Sequence, residues 1–75
     1  IMPHAVWTFE INGQQWTMEA ISANALRRQG IAVKELIRPG QMYNIYYAPS
    51  RKSGVNKGFL SALELNGKKV TFVRL

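Results

Sequence analysis

The sequence predicts a mainly β domain with one short helix, in the order β-β-α-β-β-β. Two Asn-Gly dipeptides sit between runs of alternating residues, one capped helical segment separates them, and no repeat or linker interrupts the chain. Its 75 residues allow a single small domain over 1–75, large enough to bury only about 60% of its unfolded surface.

The first hairpin is specified by Asn12 and Gly13, a pair that tolerates the positive φ angles of a type I′ turn. A two-residue turn there sets Phe9 opposite Trp16 and Trp7 opposite Met18, with Thr8 facing Thr17 and Glu10 facing Gln15. One face is then aromatic and the other polar, so a slip of one residue would turn the tryptophans into water.

Ser22 is placed to cap a helix over about 23–29, with Gly30 supplying the left-handed residue after its end and Leu26 facing the core. A second helical turn near 33–37 is expected to stop at Arg38, because the residue before Pro39 is pushed out of the helical region. After Pro39 and Gly40, the run 41–48 reads as a strand ended by Pro49. Tyr43, Ile45 and Tyr47 share one face of it, and Met42, Asn44 and Tyr46 the other.

Asn66 and Gly67 specify the last hairpin, with Leu63 opposite Val70 and Glu64 opposite Lys69. Simple alternation puts Leu60 and Val73 on the Glu64 side, so both faces carry apolar residues. Such a hairpin is either enclosed within the fold or offered to a partner. Leu60, Thr71, Val73 and Leu75 are the candidate partner contacts.

A helix inserted between the third and fourth strands is the arrangement of an OB-like barrel, with this chain counted from the second strand. The first strand is absent by that count, which leaves the final strand either closing the sheet or bordering an open edge. An open edge accepts added strands.

The net charge of +6 is concentrated late in the chain. Residues 1–50 hold four lysines and arginines against three carboxylates, and residues 51–75 hold six against one. The second block begins in "APSRKSGVNKGF", residues 48–59, where Arg51, Lys52 and Lys57 follow Tyr46 and Tyr47. Cations beside aromatic rings are what single-stranded nucleic acid needs, so these five residues form the candidate anion or nucleic-acid site. The simpler reading is a glycine-containing turn whose lysines keep the surface soluble.

Catalysis is not expected. The chain has no aspartate, no cysteine and one histidine, so the usual nucleophile and base sets cannot be assembled. Its four glutamates, Glu10, Glu19, Glu35 and Glu64, fall on polar strand or helical positions typical of solvated carboxylates. The basic loop lacks the Gly-Lys-Ser/Thr ending of a phosphate-binding loop. Met2 and His4, with Met18 or Met42, would make a soft ligand set for Cu(I). Strand methionines more commonly fill core gaps, and neither a metal nor a cofactor is expected.

The segments "MPHAVWTFE", "QQWTMEAISANALRRQGI" and "LIRPGQMYNIYYAPSRKSGVNKG" resemble a family of small, uncharacterised exported proteobacterial proteins of OB-like form. That family reads Asn-Pro-His followed by Trp, then a Trp-x-x-Glu strand, an Asn-x-Leu-x-Arg-x-Gly helix and a Pro-Gly strand. The matching residues are Pro3, His4, Trp7, Trp16, Glu19, Asn24, Leu26, Arg28, Gly30, Pro39, Gly40, Pro49 and Gly54. Met2 departs from the family's asparagine, and the strand that precedes the Pro-His pair in the family has no counterpart here.

The resemblance implies a periplasmic or extracellular location and brings no activity or ligand. The first residue is Ile1, without a signal-peptide series after it, which fits a processed or excerpted chain. No apolar run approaches the roughly 20 residues of a membrane span. The expected role is therefore a non-catalytic interaction or assembly module of the cell envelope, using a sheet edge toward a protein partner or itself. Nucleic-acid binding is the alternative.

Overall fold

A computed structural model describes residues 4–73. The chain is mainly β, with two short helices and a sheet that is not closed into a barrel. Strands β1 (His4–Ile11) and β2 (Gln14–Ser22) form the first hairpin, in the register the Asn-Gly turn dictates: Phe9 faces Trp16 and Trp7 faces Met18. Asn12 and Gly13 take φ angles of 51° and 79°, as a type I′ turn demands. Along β1 the odd residues turn toward the core and the even ones toward solvent.

Ser22 caps α1 (Ala23–Arg28), its hydroxyl accepting from the Ala25 N–H at 3.2 Å. Leu26 is the fully buried residue of this helix. The second helical turn is a helix of its own, α2 (Val33–Leu36), so the expectation of a single helix is corrected. It ends as the chain approaches Pro39, with Ile37 already extended at φ −124°.

Strand β3 (Asn44–Pro49) begins three residues later than the alternation from Gln41 predicts. Its partner β4 (Lys57–Leu65) ends one residue past the Asn44–Glu64 pair. Tyr43 is instead held by its hydroxyl, which accepts from the Arg38 N–H at 2.9 Å and donates to the Leu36 carbonyl at 3.4 Å.

Strand β4 organises the molecule. It runs antiparallel to β3 along one side, while its other side pairs first with β2, in parallel, and then with β5 (Lys68–Thr71). The final hairpin keeps the predicted register, with Leu63 facing Val70 and Glu64 facing Lys69.

Alternation fails one turn earlier. Opposite β3, Tyr46 pairs with Ala62 and Tyr47 with Leu60, so Ser61 has no partner and the strand bulges there. The Ser61 carbonyl accepts from the N–H groups of both Phe72 and Val73, at 2.8 and 3.2 Å, and its hydroxyl donates to the Tyr46 carbonyl at 3.0 Å. One extra residue reverses the faces. Leu60 therefore enters the same core as Leu63 rather than joining Glu64 outside, and both are almost fully buried.

The core gathers Met18, Ala20, Leu26, Leu60, Leu63 and Phe72. Gly58 marks where β4 passes closest to its neighbours. A Cβ there would meet the Ala48 carbonyl oxygen and Tyr47 Cδ2 at 2.9 Å, and Met18 Sδ at 3.1 Å.

Candidate functional site

Strand pairing leaves the outer sides of β1, β3 and β5 without a neighbour among the described residues. The order is β1-β2-β4-β3, so the far side of β1 and the far side of β3 are both unpaired. These edges border one cleft of about 1010 Å³. Residues 7–12 form one wall, and residues 37–47 the other.

The chain directions follow from the ladder. β1 is antiparallel to β2, β2 is parallel to β4, and β4 is antiparallel to β3, so β1 and β3 run the same way. Each presents alternate N–H and C=O groups outward along its free side.

The inward side chains change character across the molecule. Those around β4 and α1 are sealed: Met18, Leu26 and Leu60 show no exposure. Trp7, Phe9, Ile11, Tyr43, Ile45 and Tyr47 pack against that core yet remain half-buried, and all six line the cleft. Phe9 and Tyr43 bridge it edge to face, with ring centroids 6.4 Å apart. Met42 stands at the rim, 89% exposed, a flexible thioether suited to adaptable apolar contacts. The cleft is thus an apolar floor between two backbone edges.

The predicted partner contacts among the described residues fall elsewhere. Leu60 is buried and contacts the core, which corrects its assignment to a docking face. Thr71 is exposed at the end of β5, and Val73 is half-buried beside the bulge. Leu75 lies outside the described residues.

The basic loop is a pinned turn. Its base is closed by Ser50 N–H donating to the Lys57 carbonyl at 2.8 Å, and by Thr17 N–H donating to the Asn56 carbonyl at 2.9 Å. The Ser50 hydroxyl accepts from the Lys52 N–H at 3.2 Å, and Gly54 supplies a left-handed φ of 78°. Arg51, Lys52 and Lys57 all project into solvent.

The two tyrosines before the loop face opposite ways. Tyr47 turns inward against Trp16, at 5.6 Å between ring centroids, while Tyr46 turns outward and carries the Lys69 ammonium 4.1 Å above its ring. Beside it, Asn44 donates to the Glu64 carboxylate at 3.0 Å.

Among the described residues no group of three or more His, Asp or Glu side chains comes together to hold a metal ion. Met18, one of the proposed thioether ligands, is fully buried, while Met42 is on the cleft rim. The cleft itself escaped the sequence reading, although its two ingredients, an unclosed strand order and an aromatic inner face on the edge strands, were both present there.

No protein-family model matches the chain, and no curated protein and no solved structure matches it.

Proposed function

We propose that this chain is a non-catalytic protein-interaction module of the bacterial cell envelope, an open OB-like domain that docks extended polypeptide at its free sheet edges. The observation that carries this reading is the cleft bordered by two unpaired strands whose inward side chains are only half-buried. Added strands gain main-chain hydrogen bonds along an edge, and alternate side-chain pockets give them specificity. A second copy meeting this one edge to edge would use the same chemistry and yield a dimer or a filament.

Hydrogen exchange with light scattering over a range of concentration and salt tests it. Free edges predict fast exchange at alternate amides of β1 and β3 in the monomer, and new protection at those amides in any assembly that persists in high salt. Slow exchange at both edges in a monomer would overturn the reading, because the edges would then be closed already. The envelope location rests on the family resemblance, and recovery of the natural protein from the cytoplasmic fraction of its cells would remove it.

Single-stranded nucleic acid is the second reading, motivated by the exposed cations Arg51, Lys52 and Lys57. Stacking needs a ring with a free face. Tyr46 offers one face at most, since Lys69 covers the other, and Tyr47 is packed inward. Oligonucleotide affinity that weakens on Tyr46→Ala would favour this reading. Weak affinity that falls with salt and ignores Tyr46→Ala would mark charge attraction alone.

A further inference from the structure

We propose that Asn66 and Gly67 form a self-modifying site, which deamidates spontaneously and whose isoaspartate product loosens β5 and bares the edge of β4 beneath it. The Gly67 backbone nitrogen gives up its proton to solvent and attacks the Asn66 side-chain carbonyl carbon. A C–N bond forms there, the bond to the amide nitrogen breaks, and ammonia leaves behind a cyclic imide. Water then opens the imide at either carbonyl. Attack at the side-chain carbonyl gives aspartate, and attack at the backbone carbonyl gives isoaspartate, whose main chain runs through the side-chain CH2. Water is the co-reactant, and this chemistry stands apart from the docking reading.

Asn12 and Gly13 offer the same pair of groups. Both asparagines are exposed and both open a type I′ turn, Asn12 at φ 51° and Asn66 at φ 53°. That conformation swings the following nitrogen away from Cβ, so the ring cannot close until the turn opens. The site that reacts first is the one whose turn opens at less cost.

The first hairpin resists opening. β1 has eight residues, and its Trp7, Phe9 and Ile11, with Trp16 and Met18 of β2, pack into the core. β5 has four residues, of which Val70 alone packs against the core, while Lys68, Lys69 and Thr71 are exposed. Releasing Lys68 and Lys69 therefore frees the turn before any core side chain moves, and such poorly packed ends open at low cost. Lys69 is held opposite Glu64 and 4.1 Å above the Tyr46 ring, surface interactions that water largely replaces. Charge acts in the same direction. The attacking nitrogen is anionic, and Asn66 is flanked by Lys68 and Lys69 against Glu64, whereas Asn12 is flanked by Glu10 alone.

A two-residue turn fixes the register of its ladder. Isoaspartate lengthens that turn by one CH2 and breaks its match to the pairs Leu65–Lys68 and Leu63–Val70. β5, short and carrying two lysines, is a guarded edge. The β4 edge it covers, from Ala62 to Leu65, is mostly apolar.

Incubation of the 75-residue chain at neutral pH, followed by peptide mapping with mass spectrometry, reads both sites. In the folded chain Asn66 should convert about tenfold faster than Asn12, and the ratio should fall toward parity in urea. Equal conversion in the folded chain, or Asn12 ahead, would overturn the assignment. In urea, added salt should slow Asn66 relative to Asn12, and an unchanged ratio would overturn the contribution of the lysines. The purified isoaspartate form should exchange its amides at 68–71 faster than the parent, with β1 unchanged. Asn66→Asp carries the same new charge on an ordinary backbone and should keep the parent's rates. Parent-like exchange in the isoaspartate form would overturn the release of β5, and equal speeding in Asn66→Asp would overturn the role of the lengthened turn.

Discussion

Gly58 is constrained by contact, not by a left-handed backbone. The Ala48 carbonyl and Met18 stand on opposite walls of its niche, and a methyl group would lie 2.9 Å from the first and 3.1 Å from the sulfur of the second. The carbonyl belongs to β3 and cannot yield without breaking the ladder. Gly58→Ala should destabilise the fold by about 1–3 kcal/mol, read as a lower urea midpoint at unchanged slope. Leu60 was legible as apolar, but its side was not. Alternation put it on the Glu64 face because a bulge leaves no mark in the apolar pattern, and Ser61 is an ordinary strand residue until its carbonyl is seen to accept two N–H groups. Leu60→Ala should cost about 2–5 kcal/mol and leave strand docking unchanged when binding is measured well below the unfolding transition.

At the scale of elements, the two Asn-Gly turns are the most legible features, because a two-residue loop fixes both turn type and register locally. The left-handed φ of 80° at Gly67 is unfavourable for a branched side chain. Gly67→Val is expected to destabilise by about 1–3 kcal/mol and to speed hydrogen exchange in β5 before it does so in β1. The cap of α1 was equally local. Ser22→Ala removes the acceptor for the Ala25 N–H and should cost about 0.5–2 kcal/mol, with helix amides 25–28 losing protection first. The start of β3 was less legible than its pattern promised. Residues 41–43 alternate like a strand, yet a strand also needs a partner, and the extent of β4 is set elsewhere in the chain.

For the whole molecule, occupancy of the cleft should be visible in two bulk properties. Trp7 lines the cleft and Trp16 does not. In a Trp16→Phe background, bound peptide should therefore shift the remaining tryptophan emission to the blue, and an unchanged spectrum at saturating peptide would place the ligand elsewhere. Binding to the folded state alone also raises stability, by about 2.7 kcal/mol at a ligand concentration of a hundred times Kd. The melting temperature should rise accordingly with an extended peptide that docks in the cleft and stay fixed with a version N-methylated at every amide, which can pair with neither edge.

By itself, the sequence determined what nearest neighbours along the chain can decide: the two hairpin registers, the capped helix around Leu26, the mainly β class and the late concentration of positive charge. These depend on turn conformation, capping and periodicity, each written within a few residues. Tertiary structure alone decided that β4 pairs with β3 along one side and with β2 then β5 along the other, that Ser61 bulges, and that β1 and β3 end as free edges across a half-open apolar floor. Pairing between distant strands is a competition among all available edges, and its outcome depends on which apolar faces can be buried together. The candidate site is the part of that competition left unpaired, and no local stretch of residues encodes it.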